Sequence, residues 1–214
     1  MTLQSAERAL KALGRFDVVL DVGGNIGEWA ELARGVWPTA RLTSFEPVPE
    51  LAEANRNRAL GRWWVETVGI SSTEGVAELH VCVNQHSAST MQMPGTVRRD
   101  RFGIVDRYNT ITVQTRTLDS YFLDFPPGRL LIKIDVEGHE GLVLQGAPDT
   151  LDAADVVIIE VQQSPDIFVG SESPSTLDEM LGYCGLGFAG VLDCLADPSG
   201  EVVQFDGIWI RRDG

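Results

Sequence analysis

Asp17-Val18-Val19-Leu20-Asp21-Val22-Gly23-Gly24-Asn25-Ile26-Gly27 decides the fold. A short apolar run rich in Val, ended at once by glycines, reads as a buried strand running into a tight turn. A helical pattern starts from about Asn25. Outward from it, RLTSFEP (41–47) reads as a strand, LAEANRNRAL (51–60) as a helix and WWVETVGI (63–70) as a strand. Strand, helix, strand, helix, strand predicts a parallel sheet with right-handed crossovers.

The rhythm breaks over 76–116. There GVAELHVC and TITVQTRT look like strands without a long helix between them, separated by the arginine-bearing stretch around VRRDRFGIVDRY (97–108), and 76–116 as a whole reads as an insertion with a hairpin and a mobile loop. It resumes with LLIKIDVEG (130–138), a helix through GLVLQGAPDTL (141–151) and VVIIEVQ (156–162), whose unbroken apolar runs mark central strands covered on both faces. A helix near Ser175–Tyr183 and an antiparallel hairpin of GFAGVLDC and EVVQFDGIWIRR close the chain. The expectation is a doubly wound α/β sheet, mostly parallel with an antiparallel last strand, in a single domain over 1–214 with an N-terminal helix over 1–15.

Composition agrees with a folded protein: 214 residues, 43% hydrophobic and 22% charged. The net charge of -14, from 31 acidic against 17 basic residues, argues against nucleic-acid partners, which need a dense basic stripe, and against anionic membranes. The first residues lack the apolar core of a signal peptide, and no run reaches the ~18 apolar residues of a membrane span, so no membrane insertion is expected. Cys82, Cys184 and Cys194 form no CxxC pair and read as reduced thiols of a cytoplasmic protein.

Open α/β sheets bind nucleotide-like ligands at such glycine turns. A dinucleotide fingerprint needs glycine at position 22, which is Val, and a phosphate loop needs Gly-Lys-Ser/Thr, which is absent, so nicotinamide and nucleoside triphosphate readings lose ground. An acid at the strand end, Asp21, suits a cationic ammonium or sulfonium ligand. Glu46, in Phe45-Glu46-Pro47 at the end of the second strand, sits where a carboxylate accepts ribose hydroxyls. The pair suits an adenosine with a cationic tail.

The set DVGGNIG (21–27), FEP (45–47), LIKIDVEGHE (131–140) and IIEVQ (158–162) resembles the FkbM family of S-adenosylmethionine-dependent methyltransferases, with matching segments from about Asp17 to Gln162. The resemblance implies a class I (Rossmann-like) methyltransferase fold with a seven-stranded sheet. It also implies S-adenosyl-L-methionine as cofactor and methyl transfer to oxygen, often a sugar hydroxyl of a glycolipid, polysaccharide or natural product. By that mapping Asp21, Gly23, Gly24, Asn25 and Gly27 cradle the methionine part and Glu46, beside Pro47, holds the ribose. Ser71 lies near the adenine, and Ser87 approaches the methionine end. Family members more often carry Ala where this chain has Gly24.

Methyl transfer needs an acceptor oxygen stripped of its proton or bound to a cation. Asp135 and Glu160 end neighbouring strands at the crevice, and alternation adds Glu137 beside Asp135 and Gln162 beside Glu160. Asp135, Glu160 and Gln162 are the expected Mg²⁺ ligands, since a hard ion prefers a few carboxylates. The metal-free alternative is a general base, His139 or His86, with the carboxylates Asp135, Glu137 and Glu160 as further catalytic candidates. His80, in an alternating strand, reads as a surface residue, Trp63, Trp64 and Trp209 as core, and Arg98, Arg99, Arg101 and Arg107 as a lid candidate. The acceptor is expected to be a small molecule or oligosaccharide bound over the sheet edge through loops near 84–110 and 163–174, or with a second copy of the chain as a homodimer. Two other functions fit the same crevice: a catalytically silent cofactor-binding partner or sensor, and an O-methyltransferase of a non-sugar hydroxyl.

Overall fold

A computed structural model describes residues 3–82, 89–94, 107–122, 128–163 and 168–212. The strands are β1 (Val18–Val22), β2 (Arg41–Phe45), β3 (Trp64–Glu66), β4 (Gly69–Ile70), β5 (Gly75–Cys82), β6 (Met93–Pro94), β7 (Tyr108–Arg116), β8 (Leu130–Ile134), β9 (Val156–Gln162), β10 (Phe168–Val169), β11 (Leu186–Ala196) and β12 (Val202–Arg211). The helices are α1 (Leu3–Ala12), α2 (Glu28–Val36), α3 (Pro49–Ala59), α4 (Asp119–Phe122), α5 (Glu140–Gln145), α6 (Pro148–Ala153) and α7 (Pro174–Tyr183). Among the described residues the main sheet has seven strands in the order β11-β12-β9-β8-β1-β2-β3. β1 pairs in parallel with β2 and β8, β8 with β9, and β2 with β3, while β12 runs antiparallel to both β9 and β11. This is the class I methyltransferase arrangement with its last strand reversed.

Period-2 alternation divides the core. Val18, Leu20 and Val22 of β1 join Leu130, Ile132 and Ile134 of β8 and Val157, Ile159 and Val161 of β9 on one face, against Val143, Leu151, Leu177 and Leu181 of α5, α6 and α7. Val19, Leu131, Val156 and Ile158 point the other way, against Leu10, Ala30, Ala33, Ala52 and Ala59 of α1, α2 and α3. Residues of that second face near the strand ends are polar: Asp21, Lys133, Glu160 and Gln162, all buried. The alternation that fills the core thus collects polar groups on one face, where the crevice opens.

Two elements differ from the sequence reading. WWVETVGI splits into β3 and β4, and β4 leaves the main sheet to pair with β7, which pairs antiparallel with β5 along its whole length. The helix through 141–151 breaks into α5 and α6 at Gly146, where an added Cβ would stand 2.2 Å from the Ser71 carbonyl oxygen. No helix of the described residues is long and apolar enough to cross a membrane. Cys82, Cys184 and Cys194 are free thiols.

Candidate active site

The glycine turn is fixed from both sides by backbone. The Gly23 and Gly24 amides both donate to the Phe45 carbonyl, at 3.0 and 2.9 Å, and the Asp135 amide donates to the Val22 carbonyl at 3.0 Å. Gly23 takes a φ of 85°, and an added Cβ would lie 1.8 Å from the Asp135 carbonyl oxygen, so only glycine fits. Gly24 meets side chains instead: a Cβ there would fall 1.8 Å from Ser44 Oγ, which donates to Asp21 Oδ2 at 2.8 Å. Ser44 thus occupies the space that the methyl group of an alanine would need at this position. Asn55 Nδ2 donates to the Gly24 and Asn25 carbonyls, both at 3.2 Å, and Trp63 Nε1 donates to Asn55 Oδ1 at 2.8 Å.

Glu46 bridges this turn to α3. Its Oε2 accepts from the Asn25 amide and its Oε1 from the Val48 amide, both at 2.8 Å. Burial pushes the carboxyl up to about 7 despite these donors. Each oxygen keeps lone-pair capacity for a further donor.

These groups border a cavity of about 740 Å³. Gly23, Gly24, Asn25 and Ile26 line it, Glu46 and Pro47 follow, and Leu51, Val68, Ile70, Leu79 and Met91 supply an apolar part. The size and the mix of apolar wall with a few polar groups are those of a small-ligand site. The lining fits an adenosyl ligand: an apolar slot for a base, a carboxylate for ribose hydroxyls, and a backbone turn for the amino-acid end.

The acids form the other part of the same cavity, where Lys133, Asp135, Glu137, Glu160, Gln204 and Asp206 belong to the lining. Asp135, Glu137 and Glu160 each bring a carboxylate oxygen within 4.8 Å of the others. β8 and β9 bring Asp135 beside Glu160, since their parallel register pairs Ile134 with Ile159 one step before. Glu137 arrives by a different route from the extended alternation expected of it. β8 ends at Ile134, and Glu137 adopts a φ of 52°, followed by Gly138 at 92°. Thr90 Oγ1 donates to the Glu137 carbonyl at 2.6 Å, and Glu140 Oε1 accepts from the Val136 and Gly138 amides at 3.1 and 3.2 Å. A left-handed non-glycine residue costs about 1–2 kcal/mol, and such strain gathers where a side chain must be aimed.

Charge is unevenly distributed here. Lys133 Nζ donates to Asp135 Oδ2 at 2.6 Å, and Lys133 faces Asp21 across the β1–β8 register. Burial disfavours the Lys133 ammonium, but Asp135 and Asp21 beside it more than compensate and hold its pKa above the usual lysine value. Burial raises Asp21, with Lys133 opposing. Glu160 is raised well above an ordinary carboxyl, first by burial and then by Asp135, Glu137, Glu140 and Asp206. Three oxygen donors of this hard type suit Mg²⁺.

Several expectations need correction. Gln162, expected as a third ligand, lies outside the cavity lining with its Nε2 donating to Glu160 Oε2 at 3.1 Å, and Glu137 joins Asp135 and Glu160 at the cluster. His139 is not placed as a base. It is 5% exposed and outside the cavity lining, its Nδ1 takes the Gln92 amide at 3.1 Å, its Nε2 contacts Ser71 Oγ at 3.0 Å, and burial lowers it to about 4. Ser71 is thereby occupied behind the wall, where Gly69 and Ile70 line the cavity instead. Asp21 and Gly27 also lie outside the lining, and Asp21, fully buried, faces Lys133 with Oδ1 lacking a hydrogen-bond partner among the described residues. His86, Ser87, Arg98, Arg99 and Arg101 lie outside the described residues.

Gln204 and Asp206 belong to no motif of the sequence reading. They come from β12, whose antiparallel register sets Gln204 opposite Gln162 and Asp206 opposite Glu160. Gln204 Nε2 donates to Glu160 Oε1. Alternation of Gln204, Asp206 and Ile208 against buried Val203 and Trp209 is the one sequence signal that marks them as a shared face.

The Methyltransferase FkbM domain matches residues 21–188. The 2-O-methyltransferase NoeI of Sinorhizobium fredii is 30% identical over 142 residues, covering 63% of this chain and 58% of that protein. The hexuronic acid methyltransferase AglP of Haloferax volcanii is 28% identical over 154 residues, covering 70% and 58%. The chain therefore spans under two thirds of the length of either relative. Among solved structures, the FkbM methyltransferase of Methylobacillus flagellatus superimposes with a TM-score of 0.52 at 15% identity, over 89% of this chain and 43% of that one. The 1,6-didemethyltoxoflavin-N1-methyltransferase of Burkholderia thailandensis, solved with 1,6-didemethyltoxoflavin and S-adenosylhomocysteine, gives 0.51 at 15% identity, over 99% and 78%. At such identities the structural likeness speaks for the fold alone.

Proposed function

From the premise that the chain belongs to the FkbM methyltransferase family, we propose that it is an S-adenosylmethionine-dependent O-methyltransferase acting on a saccharide hydroxyl, with Mg²⁺ at its acidic centre. The observation that carries the reading is the sharing of one cavity by the glycine turn, Glu46 and the three clustered carboxylates. Relatives named as a 2-O-methyltransferase and a hexuronic acid methyltransferase support an oxygen of a sugar as the acceptor.

S-adenosylmethionine supplies an electrophilic methyl on a cationic sulfur. The backbone of Gly23 to Asn25 holds its amino-acid end, Glu46 its ribose, and the apolar residues from Leu51 to Met91 its base, which fixes the line of attack. Asp135, Glu137 and Glu160 would hold Mg²⁺, which supplies charge that lowers the acceptor hydroxyl's pKa. Those carboxylates orient that hydroxyl, and an ionised one takes its proton. Lys133 keeps Asp135 turned toward the cavity, and Gln162 and Gln204 steer the two oxygens of Glu160. A cytoplasmic location is part of the same proposal, as is a homodimer closing the acceptor side.

Calorimetric titration with S-adenosylhomocysteine tests the cofactor half. The wild-type chain is expected to bind, and Glu46→Ala to weaken binding about tenfold or more by removing a buried acceptor of hydroxyl donors. Equal binding by wild-type and Glu46→Ala protein refutes the ribose role, and absence of binding refutes the function. Transfer of labelled methyl to a glycan panel with and without EDTA tests the metal.

A further inference from the structure

We infer that the β11–β12 hairpin builds the acceptor subsite of this cavity and that the subsite takes a sugar bearing no carboxylate, an inference that rests on the methyl-transfer reading above. The strand register carries it. β9, β12 and β11 are antiparallel neighbours, aligning Glu160 with Asp206 and Asp206 with Asp193. Two residues away the same strands align Gln162 with Gln204 and Gln204 with Leu195. Residues two apart on a strand share a face. Six side chains therefore form two transverse rows, one of acids and one of amides ending in Leu195. Glu160, Gln204, Asp206 and Leu195 line the cavity, so these four members of the rows form a wall of the space that holds the carboxylate cluster.

The acid row sets carboxyl opposite carboxyl in both of its cross-strand pairs, an arrangement that costs a sheet stability where both are ionised. Gln162 stands outside the lining, and its Nε2 donates to Glu160 Oε2. A wall with surplus acceptors complements a ligand that donates, as the hydroxyls of a sugar ring or the amine of an amino sugar do. Lys133 is the one cation among the described lining residues, and Asp135 and Asp21 already engage it. With Mg²⁺ held at the cluster, its two charges are outnumbered by the carboxylates of Asp135, Glu137 and Glu160, so a carboxylate on the acceptor would still meet Asp206 beside a net negative centre, with no free cation among the described lining residues. The cavity of this chain thus departs from what the name of the hexuronic acid methyltransferase implies for that relative.

The test titrates the whole chain, saturated with S-adenosylhomocysteine, with gluco-, manno- and galacto-configured oligosaccharides and with the same oligosaccharides oxidised at C6 to uronates. At least one neutral series is expected to bind roughly tenfold or more tightly than its uronate counterpart, the scale of an unrelieved like-charge contact. Asp206→Asn should narrow that ratio to about threefold or less, and Asp206→Lys should invert it, both with unchanged affinity for S-adenosylhomocysteine. Equal or tighter uronate binding by the wild-type chain, no binding of either series, or a ratio untouched in Asp206→Asn overturns the inference. Titration of S-adenosylhomocysteine alone separates the two failures. If it does not bind, the methyl-transfer reading falls; if it binds while uronates are preferred, only the acceptor assignment falls.

Discussion

Replacing Lys133 by Met keeps the length and apolar stem of the side chain and removes one charge. In the native chain that charge lies 2.6 Å from Asp135, faces the fully buried Asp21 and sits 5.7 Å above the Trp29 ring. Breaking a buried ion pair by deleting one partner costs about 3–5 kcal/mol, because the other is left uncompensated. The lost contact with Trp29 adds about 0.5–2 kcal/mol, and partial protonation of Asp21 gives some of the cost back. A net loss of about 3–5 kcal/mol at pH 8 corresponds to a fall of roughly 6–20 °C in Tm for a chain of this size. The deficit should shrink toward pH 5. Lys133 lowers the Asp21 pKa in the native chain, so without it Asp21 accepts a proton at higher pH and the repulsion with Asp135 is relieved as pH falls. Urea and thermal melts of both proteins at pH 8 and pH 5, with near-ultraviolet circular dichroism to confirm native packing, measure both effects. A loss under about 1 kcal/mol at pH 8, or the same loss at both pH values, would falsify the electrostatic account and leave only packing.

Glu46 and Glu140 are both buried and both raised to about 7 from the usual 4.5. Acids with a higher pKa folded than unfolded bind protons more tightly in the native state, so the ligand-free protein should gain stability as pH falls from about 8 toward 5. The gain is up to about 3 kcal/mol for each group, and a flat Tm over that range contradicts it. Gly24→Ala should cost about 1–3 kcal/mol by pushing Ser44 off Asp21, and adding Ser44→Ala should recover part of the space; thermal melts of the single and double variants decide. Glu137→Gly should stabilise the chain by about 1 kcal/mol through relief of its left-handed backbone while abolishing any Tm increase on adding Mg²⁺; a destabilised variant that still responds to Mg²⁺ contradicts both the strain and the ligand role.

The parallel sheet could be read directly from the sequence because its central strands are buried on both faces and therefore mostly apolar, and the glycine turn because Gly23 has no substitute there. The edge hairpin was equally legible from its alternation. What escaped reading depends on distant partners. His139 looks like an available base beside Gly138, but residues 68 and 47 positions away, Ser71 and Gln92, claim its two nitrogens. Alternation brought Glu137 to the right place for the wrong reason, since a left-handed turn aims it. Asp206 and Gln204 stayed hidden because only the antiparallel insertion of β12 beside β9 sets them next to Glu160. The split of 63–70 into two strands follows from β4 pairing with β7, a partner far along the chain that local propensity does not register.

The gap between Gly23 and the Asp135 carbonyl, too narrow for a methyl group, joins the ligand turn and the acid turn into one mechanical piece. Segments 21–27 and 133–140 are far apart in the gene yet must be inherited together. Chimeras with relatives should keep function when crossovers fall within α1 or after β9, and lose it when one parent supplies the first segment and the other the second. Recombination libraries for altered acceptor use are best cut at the β11–β12 hairpin, whose backbone pairs with β9 and not with β1 or β8.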